Sequence, residues 1–235
     1  TVRPKITRTI IEKLRRENGM ALKGIQDIAG ARITADISRR QQDALARRIA
    51  VAFASLGRQP RMVDRRSESM HGYRAVHVVV HLGDIPVEVQ LRTKDQDAWA
   101  QVLEKVAGRW GRDIRYGGLP TEPHLLVAGQ ISRAAWVEKM KALSAAAEEL
   151  DKLEASSSNP THIHIEPAAS RDDIVDPDDT IEVLKVLAED IVVGSADSES
   201  SETLVRGELV AMHSARDRYY RLFDQMISLM EDDFT

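Results

Sequence analysis

With 235 residues, 43% of them hydrophobic and 30% charged, the chain has the makeup of a globular protein with room for one sizeable domain and an appendage. It has no cysteine, which excludes disulfides and thiolate chemistry, and no apolar run long enough to cross a bilayer. The net charge of -4 conceals two unlike halves: residues 1–120 hold 23 Lys and Arg against 13 Asp and Glu, and residues 121–235 hold 10 against 24. A basic half concentrates polyanionic ligands, whereas an acidic half repels them or covers a basic surface. No signal peptide is visible, and a cytoplasmic setting with no membrane association is expected. A motif-like stretch begins at Arg3, so Thr1 is expected to open a fragment or a chain lacking native N-terminal residues.

The periodicity predicts a helix over 7–18, with Ile10, Ile11 and Leu14 as its stripe and Asn18-Gly19 as its stop. A turn or short helix at 22–29 leads to a strand over 31–37. A second helix fits 40–56, with Leu45, Ile49, Ala52, Phe53 and Leu56 facing inward and Gly57 ending it. A short strand is expected at 61–64. Over 73–81, Tyr73, Ala75, His77, Val79 and His81 share one strand face. After a tight turn, 85–92 alternates again, with Glu88, Gln90 and Arg92 on one face and Val87, Val89 and Leu91 on the other. That pattern describes a sheet with one packed face and one chemically furnished face.

A helix should follow from Lys94 to about Trp110, then a Gly/Pro-rich break at 117–124. Residues 125–154 read as one long amphipathic helix with Ile131, Trp136, Met140, Leu143, Ala147 and Leu150 on its stripe. Further on, a short strand at 161–167, a helix at 180–190, a polar linker at 194–202 and a last helix at 204–231 are expected. His162 and His164 share a strand face, but two histidines without a third ligand are poor evidence for zinc, and they read as structural or surface residues. A core of α+β or α/β type in the first 120 residues, followed by mostly helical material, is the coarse expectation.

Two acids stand out by context. Asp27 precedes a strand, and Glu88 lies inside one between Val87 and Val89, where an acid packed in apolar surroundings is costly. Two readings stand level: the acids converge on one divalent ion, magnesium by its preference for carboxylates, waters and phosphates, or each pairs with an arginine across the sheet. Arg3, Lys5, Lys13, Arg32 and Arg92 read either as solvated surface charge or as the cations a triphosphate requires, Lys5 and Lys13 as compact charges, Arg3 and Arg32 as planar groups able to stack on a base. Tyr73 after Gly72 offers either a stacking platform or rim packing. His77 offers either a phosphate donor or a core histidine satisfied by a carbonyl. There is no GxxxxGK[ST], no GxGxxG in a βαβ setting and no HExxH, so phosphate binding must rest on side chains and metal.

The stretches RPKITRTIIEKL (3–14), DIAGARI (27–33), DRRSESMHGYRAVH (64–77) and VEVQLRT (87–93), followed by Trp99-Ala100, together resemble the synthetase domain of the RelA/SpoT family, the alarmone synthetases. The ordered set covers about 100 residues and does not extend convincingly past about residue 118. The resemblance implies a mixed five-stranded sheet flanked by helices (residues 1–118). The acidic, mostly helical region that follows (119–235) reads, from its own composition and periodicity, as an oligomerisation or regulatory element. The resemblance also implies magnesium-dependent transfer of pyrophosphate from ATP to the 3′-hydroxyl of GDP or GTP. By the same resemblance Arg3 and Arg32 clasp adenine, while Lys5, Thr9, Lys13 and His77 handle the phosphates of ATP. Asp27 holds magnesium, Glu88 shares the ion or acts as base, and Tyr73 stacks on the acceptor's guanine. Gln90, Arg92 and Glu104 have supporting roles.

The chain departs from the family pattern on the acceptor side. The Pro-Lys pair common before Gly-Tyr is replaced by SESMH (67–71), with Arg65 or Arg66 as substitutes for the missing lysine. Ala75 stands where Ser is common, and Glu104-Lys105 where Glu-His is frequent. The 3′ end of tRNA, as in toxic small relatives, or an adenine nucleotide therefore stays open as acceptor. A catalytically silent nucleotide sensor is a further reading, and a homo-oligomer is expected.

Overall fold

The computed structural model describes residues 10–11, 14–15, 29–67, 69–156 and 201–234, for 201–213 the backbone alone. Four strands, β1 (Ala29–Ala35), β2 (Arg61–Asp64), β3 (Val76–Leu82) and β4 (Ile85–Thr93), form one mixed sheet in the order β1-β4-β3-β2. β1 runs parallel to β4, and the other pairings are antiparallel. The fold is thus α+β with a mixed sheet, as expected, but with four strands among the described residues instead of five.

Alternation decides which face of the sheet is covered. Val76, Val78 and Val80 of β3 and Val89 and Leu91 of β4 form an apolar core with helix α1 (Arg39–Phe53), which contributes Ala46, Leu45, Ile49 and Phe53. Their neighbours His77, Glu88, Gln90 and Arg92 must then face the other way. α1 begins with a capping box in which the Ser38 hydroxyl accepts from the Gln41 amide and the Gln41 side chain accepts from the Ser38 amide. The same device recurs where β4 ends: Thr93 and Gln96 cap helix α2 (Lys94–Trp110), so strand passes directly into helix.

A second core is mostly helical. α2 contributes Trp99, Leu103, Val106 and Trp110, and helix α3 (Arg133–Ser156) contributes Trp136, Met140, Leu143 and Leu150. Helix α4 (Ser201–Phe234) adds Tyr219, Leu222, Met226 and Met230. Residues on both sides of position 118 therefore share one core. The apolar stripe expected on a helix at 125–154 is filled by α2 and α4 of the same chain.

That helix starts later than its periodicity predicts. Ala128 (φ 47°) and Gly129 (φ 71°) both adopt left-handed backbone, and the Gln130 amide bonds the Val127 carbonyl at 3.0 Å. Two consecutive positive φ values cannot continue a right-handed helix, and they turn Leu126–Val127 back onto Ile131–Ser132 as a two-stranded ribbon, β5 and β6. The expected helices at 7–18 and 180–190 fall wholly or largely outside the described residues, although residues 10–11 and 14–15 are helical. The strand at 161–167, with His162 and His164, also lies outside them. Among the described residues no helix is long and apolar enough to cross a membrane.

Trp136 sits at the centre of the helical core, fully buried, its indole N–H donating to the Met226 carbonyl at 3.0 Å and its ring edge-to-face with Trp110. Trp136→Ala is expected to lower unfolding free energy by about 4 kcal/mol, measured by urea denaturation, because it opens a cavity in the core.

Candidate active site

The open face of the sheet carries a continuous chain of polar contacts. Glu88 is its end. Its Oε1 lies 2.8 Å from His77 Nδ1, and its Oε2 accepts from Gln90 Nε2 at 3.2 Å. The other ring nitrogen of His77 lies 2.9 Å from the Tyr73 hydroxyl. That hydroxyl accepts from Arg92 Nη2 at 3.2 Å, and the Arg92 guanidinium carbon stands 5.0 Å from the centre of the Tyr73 ring. Arg92 Nη1 in turn donates to Asp97 Oδ1 at 2.9 Å.

The directions of these bonds follow from the groups themselves. A carboxylate only accepts, so a neutral His77 donates from Nδ1 and is left with an acceptor at Nε2. Tyr73 donates to that acceptor, and arginine, which can only donate, supplies the Tyr73 oxygen. From Arg92 through Tyr73 and His77 the bonds point toward Glu88, while the bond from Arg92 to Asp97 runs the other way.

Elements place these residues as follows. Glu88, Gln90 and Arg92 alternate along β4; His77 is the β3 partner of Gln90, and Arg32 is its β1 partner. Opposite Glu88 in β1 stands Gly30, whose missing side chain leaves the flank of Glu88 open; a Cβ there would lie 3.0 Å from the Glu88 carbonyl. Tyr73 arrives on a loop fixed from behind. Arg74 Nε donates to both the carbonyl and hydroxyl of Ser144 at 2.9 Å, and the Ser144 hydroxyl donates to the Gly72 carbonyl. Gly72 has φ 89°, and a Cβ on it would come within 2.6 Å of the Trp99 ring, so this position requires glycine on two counts.

Asp97, in the first turn of α2, joins several cations. Besides Arg92 it has Arg32 Nη1 at 3.9 Å and accepts from Gln101 Nε2 at 2.6 Å. Burial pushes the Asp97 carboxyl up, but the hydrogen bonds from Gln101 and Arg92 and the charges of Arg92 and Arg32 outweigh it and hold the group below the usual carboxylate range.

Comparison with known proteins adds a likeness. Residues 2–107 match the family model described as a region found in RelA / SpoT proteins. Uncharacterized proteins of Mycobacterium bovis and Mycobacterium tuberculosis are 44% identical to the chain over 131 residues, 56% of this chain and 46% of theirs. The chain thus spans about half the length of the curated relatives it matches. Among solved structures, small alarmone synthetase 1 from Bacillus subtilis is 23% identical, with a TM-score of 0.46, over 65% of this chain and 74% of that one. A GTP pyrophosphokinase family protein from Streptococcus pneumoniae is 22% identical, with a TM-score of 0.43, over 63% and 70%.

Within the RelA/SpoT region the structure brings together Glu88, His77, Tyr73, Gln90, Arg92 and Arg32. It does not bring Arg66 to them. The Arg66 side chain is 4% exposed and is held by Asp43 and Asp64, each at 2.6 Å, and by Gln42 at 3.0 Å. That corrects the expectation that Arg66 replaces an acceptor-side lysine: a guanidinium enclosed by two carboxylates serves the fold. Arg65 is half-buried, its Nη1 3.7 Å from the Met70 sulfur. Glu104 lies on the surface of α2 paired with Arg115 at 2.8 Å, two turns from Asp97 and apart from the Glu88 chain. Arg3, Lys5, Thr9, Lys13 and Asp27 lie outside the described residues.

His77 is thus tied to both Glu88 and Tyr73, and Glu88 has a histidine partner. Asp97 was not foreseen. Its signal lies in the order Arg92-Thr93-x-x-Gln96-Asp97, a strand end followed by a capping box, which folds the strand's last arginine against the helix's first turn. Long-range ¹⁵N NMR of the neutral His77 ring should report the proton on Nδ1; a ring protonated on Nε2 alone would contradict the bond directions given above.

Proposed function

We propose that the chain transfers pyrophosphate from ATP to the 3′-hydroxyl of GDP or GTP, releasing AMP. The observation that carries this reading is the convergence of Glu88, His77, Tyr73, Gln90, Arg92 and Arg32 on one open sheet face inside the RelA/SpoT region. In this reading the acceptor hydroxyl attacks the β-phosphorus of ATP as the bond from that phosphorus to the α,β-bridging oxygen breaks. The hydroxyl proton passes to Glu88. A ribose hydroxyl is a weak nucleophile, so a carboxylate within hydrogen-bond reach is what the step requires.

Magnesium fits the donor set. Among the described residues no three His, Cys, Asp or Glu side chains cluster to hold a metal by themselves, and Mg²⁺ characteristically takes one or two carboxylates and completes its shell with water and phosphate. Glu88 would hold it with Asp27, two residues before β1, and the ion would neutralise charge on the β- and γ-phosphoryl oxygens. Arg32 and Arg3 would clasp the adenine, Lys5, Thr9 and Lys13 the phosphates, and the Tyr73 ring would stack on the acceptor base. His77, tied to both Glu88 and Tyr73, orients the carboxylate in this arrangement. The burial of Arg66 favours a second acceptor class, the 3′ end of tRNA, since an acceptor-side cation is then supplied by Arg65 alone of the two.

Incubation with magnesium and γ-³²P-ATP, offering GDP, GTP, ATP and deacylated tRNA separately, is expected to label GDP or GTP. Label appearing only in tRNA would establish the second reading, and label in none of them would end both. Glu88→Gln is expected to bind ATP within about threefold of the parent while kcat falls at least about a hundredfold. Undiminished turnover in that variant would remove Glu88 from the chemistry.

A further inference from the structure

Asp97 has no part in the reaction as written, yet it meets a cation from each side of it. Its Oδ1 is approached by Arg92 at 2.9 Å and by Arg32 at 3.9 Å. The two arginines differ in freedom: the Arg92 side chain is 6% exposed and that of Arg32 is 52%. Arg92 also reaches the Tyr73 hydroxyl and lies by its ring, while Arg32 sits on the outer strand β1. One carboxylate oxygen thus faces a buried arginine bonded to the Tyr73 hydroxyl and an exposed arginine that the proposed reaction assigns to the donor nucleotide.

Resting on the proposed reaction, we propose that Asp97 is a positioning residue that couples the two nucleotide subsites. Two cations compete for one oxygen. When ATP draws Arg32 away, Asp97 is left wholly to Arg92, the Arg92–Asp97 pair tightens, and Arg92 Nη2 is held more firmly on the Tyr73 hydroxyl. The Tyr73 ring is then fixed for the acceptor base. By reciprocity, acceptor binding that settles Tyr73 and Arg92 releases Arg32 to ATP. Gln101, bonded to Oδ2 from one turn along α2, keeps the carboxylate from rotating away.

The test is equilibrium binding with the full chain, by calorimetric titration of GDP in magnesium buffer with and without saturating α,β-methylene-ATP, which cannot donate its terminal phosphates. The unaltered chain is expected to bind GDP at least about fivefold tighter with the analogue present, a coupling at the low end of those commonly seen. Asp97→Asn, which keeps the shape and removes the charge, should bring the two GDP affinities within about 1.5-fold of each other. Asp97→Glu should retain at least about half the parent's coupling. A folded Asp97→Asn with the parent's coupling overturns the proposal. Should that variant fail to fold, Arg92→Lys decides, because an ammonium lacks the fork that spans Asp97 and Tyr73 together. Loss of coupling there supports the link, and retention overturns it. A parent chain that binds neither nucleotide overturns the proposed reaction and this link with it; one that binds both without coupling overturns the link alone.

Discussion

The site is organised around one constraint: a row of polar side chains, mostly shielded from water, must find partners among themselves. Glu88, His77, Tyr73, Arg92 and Asp97 do so in a single series with an acid at each end. A missing partner in such a series would leave a desolvated polar group, which costs more than the bond itself contributes. The rest follows from this. The valines and Leu91 on the reverse of the strands bury against α1, the alternation of β4 sends Glu88, Gln90 and Arg92 to the other face, and the Thr93 capping box brings Asp97 round to close the end.

The helical second half holds the loop that carries Tyr73 in place. Ser144 of α3 grips the loop through Arg74 and Gly72, and Trp99, pinned through its indole N–H to the Met140 carbonyl at 2.6 Å, fills the space beside Gly72. Among the described residues, several acids of this half form internal pairs. Glu148 meets Arg39 at the start of α1, and Asp151 and Glu154 enclose Arg216 with Asp95. Burial pushes the Asp95 and Glu148 carboxyls up, although Arg216 and Arg39 respectively pull against it. The charge asymmetry between the halves is therefore answered in part by ion pairs inside the fold, with Glu148, Asp151 and Glu154 of α3 meeting Arg39 and Arg216.

The elements that sequence revealed were those whose periodicity is dictated by burial on one side. β3, β4, α1 and α2 were legible from alternation or a helical stripe, and so was the division of β4 into a valine-leucine face and a Glu88-Gln90-Arg92 face. The start of α3 was not, because Leu125 to Ser132 continue an apolar pattern while Ala128 and Gly129 impose a turn that periodicity does not register. Motif spacing located Glu88, Tyr73 and His77, but it could not say which partners they choose. Arg66 looked free in sequence and is enclosed by Asp43 and Asp64, one of them on a helix far along the chain. Asp97 was hidden for the opposite reason: a first-turn acid reads as helix capping, and only the direct passage of β4 into α2 sets it against Arg92.

The central claim is that the Glu88 face of the sheet is where ATP and the divalent ion meet. A crystal structure with magnesium and α,β-methylene-ATP tests it most directly. The account predicts one ion within about 2.1 Å of an oxygen of Glu88 and of Asp27, with the triphosphate over the face shared by His77 and Gln90. A nucleotide seated elsewhere, with no ion beside Glu88, would contradict the account.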